Sequence, residues 1–170
     1  MSAWVNAVDR LWTPWRYDFI KGSSGEKPDG SSDCIFCSLR DARDDASVYV
    51  LHRAHHNYIV LNLYPYISGH LLIVPYEHTS ELDAASDETT AELIRLAKQC
   101  QSVLREVYRP HGFNLGMNLG RSAGAGVAEH IHLHIMPRWT GDGNFMTTVA
   151  ETRVIPEDLA TTYGKLRGRF

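Results

Sequence analysis

Three histidines stand within five residues, in the run His130-Ile-His132-Leu-His134-Ile135. Imidazole changes charge near neutrality, attacks as a nucleophile and ligates metals. The polar–apolar alternation predicts a strand over 129–136, because successive side chains in a strand point to opposite faces. The three rings then share one face, spaced by about 6–7 Å. Ile131, Leu133 and Ile135 share the other and anchor it in the core. Two chemistries suit such a row. One is a metal site, since imidazole is a standard zinc ligand. The other is nucleophilic catalysis, with a central ring attacking while its neighbours fix tautomer and charge. The plain alternative is a solvated face, and three histidines in five residues argue against it.

The segment before this strand reads Gly120-Arg-Ser-Ala-Gly-Ala-Gly126. Gly120, Gly124 and Gly126 let the backbone approach a ligand closely, and successive N–H groups can form an anion-binding concavity. Asn118, Arg121 and Ser122 add polar groups suited to phosphate oxygens. A phosphate cradle feeding into a row of imidazoles points to phosphoryl or nucleotidyl transfer. A second cluster starts at Cys34-x-x-Cys37, half of a zinc site by spacing. A redox pair is the other reading, but the expected strand–helix–strand context is missing.

The elements that must position these groups are legible from pattern. Runs at 48–51, 58–63, 70–74, 113–119, 129–136 and 146–155 look like strands. The 87–108 segment reads as a helix capped by Ser86, with Leu93, Ala97, Cys100, Leu104 and Val107 on one stripe. Cys100 is therefore expected in the core. A short helix is expected over 156–167, with Pro156 in its first turn. Segregated helices and short turns between strands predict an α+β fold with an antiparallel sheet. Residues 1–33 form an N-terminal arm rich in aromatic residues, ending in a Gly/Ser-rich loop over 21–33. Residues 34–170 are expected to be the folded domain.

Composition narrows the partners. The 170 residues carry 17 basic and 20 acidic side chains, a net charge of −3 with His neutral. That excess argues against a general nucleic-acid binder. No apolar run has the ~18 residues of a membrane span, and the N-terminus lacks a signal peptide. Three cysteines do not make a secreted disulfide framework. A soluble cytoplasmic protein is expected.

These residues together resemble the histidine-triad (HIT) superfamily of nucleotide hydrolases and transferases. The signature His-φ-His-φ-His-φ-φ, with φ apolar, is matched by 130–136. Further blocks at 62–75, 116–120 and 137–139 occur in the family's order, so the resemblance covers roughly 34–139. LWTPWR, LNLYPYISGHLLIVPY, RPHGFNLGMNLG and AEHIHLHIMPRW look like the bacterial diadenosine tetraphosphate phosphorylase branch. The resemblance implies a five-stranded antiparallel sheet, a long helix and a short C-terminal helix. It implies that His132 attacks an α-phosphorus and forms a covalent nucleotidyl-histidine, which phosphate or water then cleaves. His130 and His134 assist, with His130 the candidate acid for the leaving group. Asn62 matches a ribose-contacting position. Asn118, Ser122, Gly124, Ala125 and Gly126 match phosphate contacts, and His70 and Trp139 fall in blocks near the nucleotide.

Many family members carry Gln just before the first triad histidine. Here 123–129 holds one extra residue and no Gln, which favours the phosphorylase-like branch. Bacterial members with the N-terminal CxxC look like zinc binders. By that likeness Cys34, Cys37, His78 and His130 would hold a structural zinc, with His55, His56 and His111 as alternative ligands. His130 cannot be both ligand and acid. No organic cofactor is expected. The implied substrate is an adenine nucleotide or dinucleoside polyphosphate, with inorganic phosphate as a possible acceptor. The implied assembly is a homodimer or tetramer. An adenosine phosphoramidase and a non-catalytic zinc-stabilised nucleotide-binding module are the alternatives.

Overall fold

The computed structural model describes residues 34–143 and 155–170. The arm and loop expected over 1–33, and all but the last residue of the strand expected over 146–155, lie outside them. In chain order come helix α1 (Ile35–Asp41), strands β1 (Val50–Arg53), β2 (Asn57–Leu61) and β3 (Leu71–Pro75) and helix α2 (Asp87–Tyr108). Strand β4 (Gly112–Gly116), a 3-10 turn (Arg121–Ala123), strand β5 (Leu133–Arg138) and helix α3 (Leu159–Leu166) follow. The five strands form one antiparallel sheet in the order β1-β2-β3-β5-β4. This is the expected α+β fold. No described helix is long and apolar enough to cross a membrane.

Every residue of β2 and β3 is buried, because both faces of the sheet are covered. Alternation divides the side chains between two layers. Ile59, Leu61, Leu71, Ile73, Leu133 and Ile135 pack on the Leu93, Leu96, Ala97, Cys100, Val103 and Leu104 stripe of α2. Tyr58, Val60, Leu72 and Val74 face the other way, onto Cys34 and Phe36. Since Leu133 and Ile135 point at α2, His134 between them points at the α1 side.

Helix α2 has the expected bounds. Ser86 Oγ accepts the Thr89 N–H at 3.2 Å, and Arg109 ends the helix in the left-handed region with φ 48°. Cys100 is fully buried, and that burial pushes its thiol up to about 12. It is a core group with no available thiolate. Gly69 turns the chain into β3 with φ +76°, and a Cβ there would meet Leu104, Pro137 and Tyr108 at 3.3 Å.

Several boundaries differ from expectation: β1 is shifted two residues later than 48–51, β2 stops at Leu61 against 63, and β4 stops at Gly116 against 119. Strand β5 starts at Leu133, four residues late. β4 runs out at the Gly116–His134 pair, and β3 ends on Pro75, which has no N–H to extend the ladder. Ile131 N–H goes instead to Thr79 O at 2.8 Å. Helix α1 was hidden in a polar stretch, because only Phe36 of its seven residues is buried. Arg53 supports its C-terminal end, donating to the Leu39, Arg40 and Ala42 carbonyls at 3.0, 2.7 and 3.3 Å. Pro156 precedes α3, and Asp158 caps it by accepting the Thr161 N–H at 2.7 Å.

One buried carboxylate ties α2 to the β1–β2 turn. Glu92 is 2 % exposed and accepts the His55 and His56 N–H groups and Asn57 Nδ2 at 3.3, 2.7 and 3.0 Å. Burial alone would raise its carboxyl, but the donors from Asn57, His56 and His55 hold it below the usual range. Glu92→Ala should therefore destabilise the fold by about 2–4 kcal/mol, since it strands several donors at once. Urea denaturation of the variant measures this, and a loss under about 0.5 kcal/mol would show the contacts to be incidental.

Candidate active site and metal centre

The triad does not form one row. His132 and His134 stay together, their ring centroids 4.9 Å apart, closer than an ideal strand spacing because His132 precedes β5. His130 turns away towards His78, at 5.0 Å between centroids. All three are buried.

Hydrogen bonds fix the proton on each ring. His132 Nδ1 lies 3.0 Å from the His130 carbonyl. A carbonyl only accepts, so Nδ1 carries the hydrogen and Nε2 keeps its lone pair. Tyr64 N–H donates to Asn62 Oδ1 at 3.0 Å, which leaves Asn62 Nδ2 as the donor to His70 Nδ1 at 3.3 Å. Tyr66 N–H donates to the same nitrogen at 3.1 Å. His70 therefore carries its hydrogen on Nε2 and donates it to His134 Nδ1 at 2.9 Å. That leaves His134 Nε2–H buried with no acceptor among the described residues. Burial, with the neighbouring imidazoles, lowers His70 to about 3 and His134 to about 4. Burial also lowers His132, against the pull of the His130 carbonyl. The rings are neutral at pH 7, the form in which an imidazole nitrogen can attack.

Those shifts carry a stability prediction. The folded state binds protons less readily than the unfolded chain at His70 and His134. Stability from this source is complete above 6.5, the ordinary imidazole value. It is lost as pH falls towards the folded values near 4 and 3. The loss between pH 7 and pH 4 should reach at least about 2 kcal/mol. Urea midpoints across that range measure it. His70→Gln should flatten the dependence, and an unchanged slope would remove His70 from the cause.

His132 and His134 open on a cleft of about 290 Å³. Ile35, Phe36, Leu39 and Leu63 form apolar walls, while Asn62, Asn118 and Gly126 add polar edges. Tyr66, also lining it, stacks on His134 with the ring planes 16° apart. Asn118 Nδ2 donates to Gly124 O at 3.4 Å and braces the glycine-rich loop. Gly120 and Gly124 have φ +79° and +90°, which favour glycine. Ser122, Gly124 and Ala125 lie on this loop without lining the cleft. Trp139 packs edge-on against Tyr108 at 6.4 Å and is not brought to the cleft. Ile35, Phe36 and Leu39 line the cleft without having been expected there.

Cys34, Cys37, His78 and His130 converge from three separated segments, with their donor atoms all within 4.8 Å of one another. Nδ1 of His130 lies 3.3 Å from Cys34 Sγ and 3.8 Å from Cys37 Sγ, and His78 Nδ1 lies 3.3 Å from Cys37 Sγ. A tetrahedral ion with ordinary zinc–sulfur and zinc–nitrogen bonds places S and N about 3.5 Å apart. His130 Nε2–H donates to Pro75 O at 2.9 Å, so its Nδ1 lone pair faces the thiols. A bond from the second ring nitrogen is how metal-ligating histidines are usually oriented. Burial and the neighbouring Cys34 raise the Cys37 thiol, and a bound cation would reverse that by favouring thiolate. These residues could hold a metal. His55 and His56 meet edge to face, with Nδ1 of one 3.0 Å from Nε2 of the other, and His111 pairs with Thr140; none joins the cluster.

A two-layered α+β sheet with paired neutral imidazoles, a glycine-rich loop and an apolar cleft defines the histidine-triad class of fold and site. A family model for the HIT domain matches residues 44–141, and the chain belongs to that family. It is 42% identical over 158 residues to an AP-4-A phosphorylase of Mycobacterium tuberculosis, covering 91% of this chain and 80% of that protein. An adenosine 5'-monophosphoramidase of Schizosaccharomyces pombe is 30% identical over 105 residues, 62% of this chain and 74% of its own. Among solved structures, a Zn-bound histidine triad family protein from Mycobacterium smegmatis aligns with a TM-score of 0.65 and 29% identity. The match covers 82% of this chain and 94% of that one.

Proposed function

We propose that this chain is a nucleotidyl transferase that cleaves diadenosine tetraphosphate through an adenylyl group carried on His132. The observation that carries this reading is the His130 carbonyl on His132 Nδ1, which leaves Nε2 free beside the cleft. Nε2 attacks the α-phosphorus, a P–N bond forms, and the bond to the leaving ATP breaks. Phosphate then attacks the same phosphorus, returns the electron pair to Nε2, and leaves as ADP. Water in place of phosphate would give AMP. Splitting one displacement into two lowers each barrier, and positioning with charge stabilisation supplies most of the rate. His134 Nε2–H, a buried donor without a partner among the described residues, suits a phosphoryl oxygen. Asn118 and the 120–126 loop would hold the remaining oxygens, and Ile35, Phe36 and Leu39 the base. His130 has no nitrogen left for acid catalysis if it ligates a metal. Cys34, Cys37, His78 and His130 would then hold a structural zinc, four protein ligands leaving no open position.

The likeness to an AP-4-A phosphorylase supports phosphate as the acceptor. Product analysis tests it. Diadenosine tetraphosphate should give ADP plus ATP, and only with phosphate present. AMP plus ATP would make the chain a hydrolase, and no turnover of this dinucleotide by folded protein would refute the proposal. The proposed assembly is a homodimer, read by light scattering.

A further inference from the structure

We infer that the Cys34–Cys37–His78–His130 centre is a positioning device for the nucleotide cleft, and does more than staple the fold. The inference rests on the nucleotidyl-transfer reading for its purpose, though not for its geometry.

His130 belongs to both sites. Its ring is held at Nε2 by Pro75 O, and Nδ1 faces the thiols at 3.3 and 3.8 Å. Its carbonyl is the acceptor for His132 Nδ1, two residues on. A ligand bond on the ring thus restrains the backbone oxygen that selects which nitrogen of His132 can attack. Fixing a tautomer through the partner of the second nitrogen is general imidazole behaviour.

Phe36 makes the second link. It lies between the two cysteines in sequence, and its ring sits 5.5 Å from His130 and 4.8 Å from His132. With Ile35 and Leu39 it forms an apolar wall of the cleft. These three stand on α1, a seven-residue helix, too short to hold itself by its own hydrogen bonds. Arg53 grips its C-terminal carbonyls and Tyr58 Oη donates to Phe36 O at 2.7 Å. The start of the helix is tied down by the cysteines. A metal joining them to His78 and His130 locks the wall against the nucleophile. Without it, the wall and the His130 carbonyl lose a common anchor, while the α2 layer of the sheet keeps its own core.

The test uses the full chain in zinc-loaded and chelator-stripped forms, with metal content measured in each. AMP affinity is read by calorimetry, amide exchange by mass spectrometry, and His132 Nδ1–H by its low-field proton resonance. Stripping should weaken AMP binding at least tenfold, speed exchange at 35–41 at least tenfold, and erase the resonance. Exchange at 93–104 should stay slow at 25 °C, and added zinc should restore all three readings. Zinc-loaded Cys37→Ser, which keeps three ligands, should show a smaller loss in the same direction. It carries the comparison if the stripped chain unfolds. Exchange at 35–41 and a resonance that match the loaded protein's would overturn the inference. If neither form binds AMP, the nucleotide reading falls, and exchange with the resonance still decides this one.

Discussion

His132→Ala should lower turnover of diadenosine tetraphosphate by about 10⁴-fold or more, the scale expected when a covalent nucleophile is removed. The same variant should fold normally. His132 lies at the start of the sheet's α1 side, and its Nδ1–H satisfies a carbonyl that can pair with water once the ring is gone. Its ring makes tilted contacts with Phe36 and His134 and borders the open cleft, so its loss should cost less stability than a core truncation. The other site groups cannot replace it. His70 and His134 are bound to each other, and the nitrogens of His130 face Pro75 O and the thiols. Steady-state kinetics with phosphate present, alongside a urea melt, separate catalysis from folding. Activity within tenfold of the parent would remove His132 as the nucleophile.

Chelation should lower the melting temperature by about 10 °C or more. Losing a structural zinc removes several kcal/mol of folding free energy, and each kcal/mol is worth about 2–4 °C at this chain length. Here the metal would join α1, the turn after β3 and the approach to β5. Arg40 Nη1 donates to Tyr76 O at 3.2 Å and Ile131 N–H to Thr79 O at 2.8 Å, and a metal would add to these direct links. Cys34 and Phe36 are buried in the smaller of the two cores, with less area to hold α1 alone. Cys34→Ser, which also keeps three ligands, should give part of the fall without chelator, and chelation of that variant should add only the remainder. Scanning fluorimetry with and without added zinc measures both. A melting temperature unmoved by complete metal removal would show that the four residues pack without an ion.

The alternation at 130–135 singled out the three imidazoles but not their division between two places. Period-two patterning predicted one row of three rings, whereas Pro75 and the end of β4 stop the ladder before His132. That contest is tertiary and leaves no mark in the triad's own residues. Helix α2 was legible to the residue, because a long apolar stripe with a serine cap and a downstream Pro110 leaves few alternatives. Helix α1 was not. Arg53 and Tyr58, which hold its carbonyls, lie 12 or more residues further along the chain, and its surface reads as polar loop. The apolar cleft was hidden for the same reason. Ile35, Phe36 and Leu39 carry no motif, and only the folding of the CxxC segment onto the sheet places them beside His132. Tautomers were also beyond the sequence, since they depend on which backbone groups face each ring.

The central claim is a covalent adenylyl-histidine at one residue. It is tested most directly by mixing the full chain with diadenosine tetraphosphate in phosphate-free buffer, quenching within milliseconds at alkaline pH, and mapping the peptides by mass spectrometry. The account predicts one adenylyl group on the peptide containing His132, localised to that residue, discharged as ADP when phosphate is added, and absent from His132→Ala. An adduct on another residue, or release of ADP from the dinucleotide with no adduct formed under conditions of full turnover, would contradict it.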